Sequence, residues 1–444
     1  MPEPPGAVVV GGGLAGCEAA WQVARAGFEV VLYEMRPGTA TEAHRTGLLA
    51  ELVCSNSLKS VETTNAHGLL KEELRRLGSL LLAVAAENAV PAGKALAVDR
   101  EGFARRATEI IESDRHIRLV RREVAELPDL QRTVCILASG PLTSARLHRS
   151  LDSLLGEHSL YFYDAISPIV SADSLDPDSC FAQGRWGHGD DYLNCPLDEE
   201  LYRRFVAELV AADKVEARDF ESARFFQGCL PVEEIAASGP LSLAYGPLKP
   251  VGLADPATGR RPFAVLQLRR ENASGTMYNL VGCQTRLRQA EQRRVFGLIP
   301  ALAQAAYLRY GSVHRNTFLN LPRVGSPVLE IAGKPNLLVA GQITGVEGYV
   351  ESIGTGLLAG INAVRKLKGL GPAAPPRQTM LGALVAYVHG ADPEGFQPMN
   401  ANFGLLPPLD GPKTGRERRK EAFAARALEA LDEFRDTCVR ELFS

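Results

Sequence analysis

The sequence predicts an α/β fold: a parallel-sheet domain assembled from both ends of the chain, with an α+β domain inserted between them. Three observations predict it. Val8 to Glu34 reads as a complete βαβ unit with glycines at Gly11, Gly13 and Gly16. A second strand, glycine-rich loop and helix recur near the other end, starting at Asn336. From about Tyr161 to Leu321 the texture changes to short strands, aromatics and Pro/Gly turns.

The first unit carries the most information. Val8, Val9 and Val10 form a β-branched apolar run of the kind buried on both faces of a sheet. Gly11, Gly13 and Gly16 follow in G-x-G-x-x-G spacing, and a helical stretch from Leu14 to Ala26 offers Ala19, Ala20, Val23 and Ala24 for close packing. Gly27 stops that helix, and Val30 to Tyr33 is a second strand ending in Glu34. In a dinucleotide site the first glycine permits the tight turn, the second admits the pyrophosphate, and the third lets helix and strand approach. The helix N-terminus supplies N–H groups and partial positive charge, and an acid at the second strand tip accepts ribose hydroxyls. A lone glycine pattern would be weak, but here every part is in register. The motif does not separate FAD from NAD(P).

Composition sets bounds. With 444 residues the chain has room for two domains, or one with a large insertion. An apolar fraction of 45% and a charged fraction of 23% are those of an ordinary globular protein. No apolar run is long enough to span a bilayer, and the N-terminus lacks a basic region and a cleavage site, so the expected location is cytoplasmic. The eight cysteines include no C-x-x-C pair, which indicates neither a disulfide framework nor a zinc site. A net charge of −3 gives no global attraction to nucleic acid, so an RNA partner requires a local basic surface.

Along the chain, Arg36 to His44 is a polar loop. Cys54 precedes a Ser-Asn-Ser cluster of good N-caps, which would place it near a helix N-terminus, where a thiol's pKa falls. The alternative is a buried cysteine acting as a small hydrophobe. Helical patterns run from Leu69 to Asn88 and from Arg100 to Glu112; Val120 to Val124 and Thr133 to Leu137 read as strands. Cys17 and Cys135 fall in core positions. In the insertion, Cys229 sits in Gly228-Cys229-Leu230-Pro231, a turn rather than a helix interior. Arginines from Arg260 to Arg294 form the densest basic zone, either a solvated face or a nucleic-acid surface. Next come a strand at Asn336 to Ala340 and a helix from about Ser352 to Lys366, and Pro372 to Pro376 is a linker. A helix near Met380 to Val388 and a basic terminal helix from Arg416 to Leu442 complete the chain. Two glycine-rich turns at opposite ends fit one FAD in a discontinuous Rossmann-like domain; a simple NAD dehydrogenase has no need of the second.

The motifs VVVGGGLAGCEAAWQ, ELVCSNSLKS, YDAISPIV, FQGCLPVEE, PVGL, NLVGCQTRL, HRNTFLNLP, AGQITGVEGYVES and FQPMNANFGLLPP, in that order, resemble the TrmFO family of folate- and FAD-dependent tRNA (uracil-5-)-methyltransferases over nearly the whole chain. The resemblance implies methylation of C5 of the T-loop uridine (uridine-54) of tRNA. The carbon donor is 5,10-methylenetetrahydrofolate, and FAD reduced by NAD(P)H carries the methylene and supplies the hydride. By position, Cys229 matches the family's nucleophile, which activates uracil by adding to C6. Cys54 matches its second catalytic cysteine, assigned to acid/base work. Gly11, Gly12, Gly13, Leu14, Ala15 and Gly16 match the FAD phosphate loop, Glu34 the ribose acid and Gly341 the second flavin loop. Related flavoproteins often have Gly-Asp where this chain has Gly341-Gln342, which removes a carboxylate. No second G-x-G-x-x-G marks an NAD(P)H site.

The expected organisation is therefore an FAD-binding domain in two parts, 1–158 and 323–444 with the C-terminal helices, around an insertion at 159–322. Docking of tRNA is expected on the Arg286 to Arg294 zone with part of the terminal helix. The rival readings are a flavin-dependent small-molecule oxidoreductase with structural cysteines, a non-catalytic RNA-binding flavoprotein, and a GidA-like wobble-uridine enzyme. The last is longer and carries an extra C-terminal helical domain. The sequence does not give the oligomeric state.

Overall fold

The computed structural model describes residues 6–41, 43–156, 159–187, 189–215, 230–410 and 415–443, with side chains left aside at 159–164, 314 and 315. Its central sheet runs in the order Glu330–Ile331, Lys334–Val339, Val134–Leu137, Ala7–Val10, Val30–Glu34, Ile117–Arg121. All neighbours are parallel except the Glu330–Ile331 edge. Continuous apolar runs suit strands with both faces covered, and Ala7–Val10 is buried throughout. The C-terminal strand Lys334–Val339 pairs directly with Val134–Leu137, so both ends of the chain build one sheet.

The first helix (Leu14–Arg25) packs against the long helix Tyr349–Leu367 through small residues. A Cβ on Gly356 would lie 2.3 Å from the Ala15 carbonyl oxygen, and one on Gly360 2.9 Å from that of Ala19. The two backbones therefore approach as only glycine allows.

The insertion is a second sheet, in the order Phe181–Ala182, Tyr192–Leu197, Ala264–Arg270, Met277–Leu280, Ile169–Ser171, Tyr307–Arg309, antiparallel throughout. It has its own core, in which Tyr202 and Phe205 of the Glu199–Ala211 helix are fully buried. The chain enters and leaves it along one antiparallel ribbon, Ser159–Ile166 paired with Ser312–Leu319. No helix among the described residues is long and apolar enough to cross a membrane.

Three expectations on local structure shift. The Leu69–Asn88 pattern is two helices, Ala66–Arg76 and Leu80–Glu87, because Gly78 between them takes φ +81°. The strand expected at Val120–Val124 is Ile117–Arg121, in register with Val30–Glu34. The terminal helix is α-helical over Arg416–Phe434, then continues as a π turn, Arg435–Val439, and a 3-10 turn, Arg440–Leu442.

The glycine contact yields a test. Gly356→Ala should destabilise the protein by about 1–3 kcal/mol in urea unfolding, despite alanine's better helix propensity. Gly390→Ala, whose Cβ meets nothing within 4 Å, should not.

Candidate functional site

Strand register builds the site. Val10 lies opposite Leu137, and Leu137 opposite Val339, so three loops leave the sheet side by side at its carboxyl edge. There they line one cleft, which gathers Gly11, Gly12, Gly13, Leu14, Ala15, Glu34 and Gly341. Gly16 lies behind it, at the helix–strand contact.

The residues fit a dinucleotide. Gly11 takes φ +109°, and a Cβ there would meet the Ala138 carbonyl oxygen at 2.3 Å. A Cβ on Gly16 would lie 1.8 Å from the Gly11 oxygen, which is the close approach of helix to strand. Gly13, the N-cap of the first helix, faces open space and offers no side-chain cap to the first-turn amides. Those amides suit a pyrophosphate. Glu34 accepts from the Gly12 amide at 3.0 Å, the Arg36 amide at 2.8 Å and Arg36 Nε at 3.0 Å. Burial opposes its charge, but the hydrogen bonds and charge of Arg36 prevail and hold its carboxyl below the usual range. From the far end of the chain, Gly341 takes φ +81° and donates its N–H to Thr355 Oγ1 at 2.9 Å. A Cβ on it would stand 2.9 Å from that of Ala15. Position 342 lacks a carboxylate, but the Gln342 side-chain amide donates to Glu347, which brings one beside it.

Cys54 borders this cleft. Its neighbour Val53 lines it, as does Tyr349, whose hydroxyl accepts from the Cys54 amide at 2.7 Å and the Ser55 amide at 3.1 Å. The expected helix N-terminus is absent: Ser57–Ser60 is a strand paired with Ala95–Val98. The polar cluster caps turns instead. Ser55 Oγ accepts from the Ser57 amide at 3.2 Å, and buried Asn56 donates to the carbonyls of Val98 at 2.9 Å and Arg270 at 2.8 Å. The segment that follows Cys54 therefore supplies no helix dipole to this thiol. Cys17 and Cys135 are fully buried, as expected of core positions, and burial pushes both thiols up to about 12. Cys229 lies outside the described residues.

The Cys54 loop is also tied to the insertion. Arg100 donates to the carbonyl oxygens of Leu52 and, at 3.5 Å, Cys54, while its Nη2 pairs with buried Glu271 at 2.7 Å. Arg269 Nε donates to Asn56 Oδ1 at 2.9 Å. Sequence reasoning missed Arg36, His44, Arg100 and Tyr349. A signal existed for Tyr349, which directly follows the second glycine loop.

The basic zone does not form one free face. Arg286 pairs with Glu234, Arg294 with Glu208 and with Glu291 at 2.7 Å, and Arg269 is buried. Arg293 lies over the Tyr310 ring at 5.2 Å.

Comparison with known proteins places this architecture first in a class. The family model described as Glucose inhibited division protein A matches residues 6–371. Two structures of Aquifex aeolicus GidA share the fold, with TM-scores of 0.70 and 0.69 at 14% and 15% identity; the match covers 98% of this chain and 73% and 76% of theirs. The sequence relatives are narrower. The methylenetetrahydrofolate--tRNA-(uracil-5-)-methyltransferase TrmFO of Geobacter sulfurreducens is 58% identical over 426 residues, 96% of this chain and 97% of that one. Those of Desulforudis audaxviator and Symbiobacterium thermophilum are 55% and 56% identical, each over 96% of this chain. Within the GidA class, the chain belongs to the TrmFO family.

His44 in the cleft wall gives this site a pH signature. Burial, then Arg36 and Arg309, lower its pKa from 6.5 to about 4, against Glu51 and Glu34. The unfolded chain therefore binds a proton below about pH 6.5 that the folded chain refuses until about pH 4, and stability falls as pH drops through that window. Urea unfolding at pH 7 and pH 4.5 should show His44→Gln losing less stability than wild type, by on the order of 2 kcal/mol. Equal losses would contradict it.

Proposed function

We propose that this chain methylates C5 of the T-loop uridine of tRNA, taking the carbon from 5,10-methylenetetrahydrofolate, with FAD reduced by NAD(P)H. The observation that carries the reading is the single cleft formed by both ends of the chain, with the Cys54 loop hydrogen-bonded to Tyr349 at its wall. Gly11, Gly12, Gly13, Leu14, Ala15 and Gly341 hold FAD, Gly16 lets the helix reach it, and Glu34, braced by Arg36, takes the ribose. Bound FAD, once reduced, would relay the folate's one-carbon unit and supply the hydride.

The protein's own chemistry concerns the uracil. Its C5 is a poor nucleophile until the Cys229 thiolate adds to C6 and places negative charge on C5 and O4. After the new C5–carbon bond forms, a base removes the C5 proton as the carbon's bond to its carrier breaks; a hydride then adds to the exocyclic methylene and the C6–sulfur bond breaks, which leaves the methyl group and returns the thiolate. Cys54 serves this acid/base work beside the cleft. The uridine leaves its stack to reach the seam between the cleft and the insertion.

The division into 1–158, 159–322 and 323–444 follows this scheme, because the ribbon of Ser159–Ile166 and Ser312–Leu319 is where the insertion joins. Docking of tRNA falls to Arg288 and Arg293 with the exposed cations Arg416, Arg418 and Arg419 of the terminal helix. The location of such an enzyme is the cytoplasm, with its tRNA.

Purified protein given undermodified tRNA, methylene-labelled folate and NADPH should place label in the uracil methyl group. Cys229→Ala should lower that transfer about 10³-fold or more, the scale of removing a covalent nucleophile. A flavin-loaded wild type that transfers no label overturns the function, and an active Cys229→Ala overturns the nucleophile.

A further inference from the structure

The seam between the cleft and the inserted sheet gathers several guanidinium groups, and one of them, Arg309, has no carboxylate partner among the described residues. Arg309 ends the Tyr307–Arg309 strand, which pairs with Ile169–Ser171. Arg100 and Arg45 act on its charge from the other domain, Tyr349 and Cys54 from the cleft side, and His44 feels it from the cleft wall. The nearby carboxylates are engaged elsewhere. Glu271 pairs with Arg100 at 2.7 Å, and Glu51 takes Arg36 at 3.0 Å and the Arg45 amide at 2.8 Å. Arg309 pairs with no carboxylate among the described residues. Its Nη2 donates to the Ala43 carbonyl oxygen at a long 3.4 Å, and its Nε is sealed from solvent with no acceptor.

A guanidinium so placed costs folding energy: it is half-buried with its Nε sealed from solvent, set beside like charge and left short of acceptors. Burial and then Arg100 lower its pKa, in keeping with that geometry. An apolar side chain of similar length would suit the folded chain better. What the position lacks is an oxyanion, and a planar guanidinium fork is shaped to take one through two parallel hydrogen bonds.

We propose that Arg309 is an oxyanion-receiving residue at the substrate seam, taking either a phosphate beside the extruded uridine or a carboxylate of the folate. The inference rests on the methyl-transfer reading, which brings both groups to this seam. The same charge would then unsettle the empty protein and hold the loaded one together.

The FAD-loaded Arg309→Met variant tests it, because methionine keeps the apolar stem and removes the charge. Urea unfolding is measured first. Binding of undermodified tRNA and of 5,10-methylenetetrahydrofolate is then titrated separately by flavin fluorescence. Stability should be unchanged or higher, while at least one dissociation constant rises tenfold or more. A rise for tRNA identifies the phosphate, a rise for folate the carboxylate, and Arg309→Lys should recover part of the loss. Both constants within twofold of wild type overturn the proposal, as does lower stability with weakened binding of both, which would mark a structural role. Methyl transfer by wild type in the same preparation separates the two levels. An inactive wild type removes the reading beneath, whereas an active wild type with an indifferent Arg309→Met removes this inference alone.

Discussion

Parallel pairing in register is the constraint on which the rest of the molecule depends. Val10, Leu137 and Val339 stand level in the sheet, although they come from widely separated parts of the chain. Because they end together, two glycine loops from opposite termini open into one cleft. A slip of one residue would turn the strand's side chains over and move Gly341 away from Ala15. The glycine contacts between the Leu14–Arg25 and Tyr349–Leu367 helices lock that register from behind, since neither backbone can move toward the other. Fold and cleft are thus the same packing problem.

The second constraint crosses between the sheets. Arg100 binds Glu271 of the insertion and the main chain at Leu52 and Cys54 of the cleft wall. Asn56 accepts from Arg269 and donates to the Arg270 carbonyl oxygen. These buried polar contacts are costly if broken singly, because each would leave a charge or amide without a partner. Their effect is to fix the Cys54 loop relative to the insertion, which also carries Cys229. Arg309 stands apart at this seam: among the described residues it pairs with no carboxylate, its Nη2 reaches only the Ala43 carbonyl oxygen at 3.4 Å, and its Nε meets no acceptor.

What the sequence made legible follows the range of the interactions. The unit from Val8 to Glu34 could be read because strand, turn, helix and acid are adjacent, and each has a local signature. The Gly341 loop was legible for the same reason. The environment of Cys54 was misread, because Ser55, Asn56 and Ser57 cap a helix or a turn equally well, and the choice was made by pairing with Ala95–Val98 and by the distant Arg270 carbonyl. The Arg100–Glu271 pair leaves no local trace, as its partners lie 171 residues apart. The arginine-rich zone showed its charge in the sequence but not its neutralisation, since Glu208 and Glu234 come from separate helices. The family motifs reached further than the physics of single segments, because they record the whole arrangement at once.

Whether two distant glycine loops form one flavin site is tested most directly by the affinity for FAD of the Gly341→Val variant. Gly341 lies far in sequence from the phosphate loop, has φ +81°, and stands against Ala15. With the secondary structure intact by far-UV circular dichroism, the account predicts that the dissociation constant for FAD rises by about two orders of magnitude, ~3 kcal/mol. Wild-type affinity in that variant would contradict it.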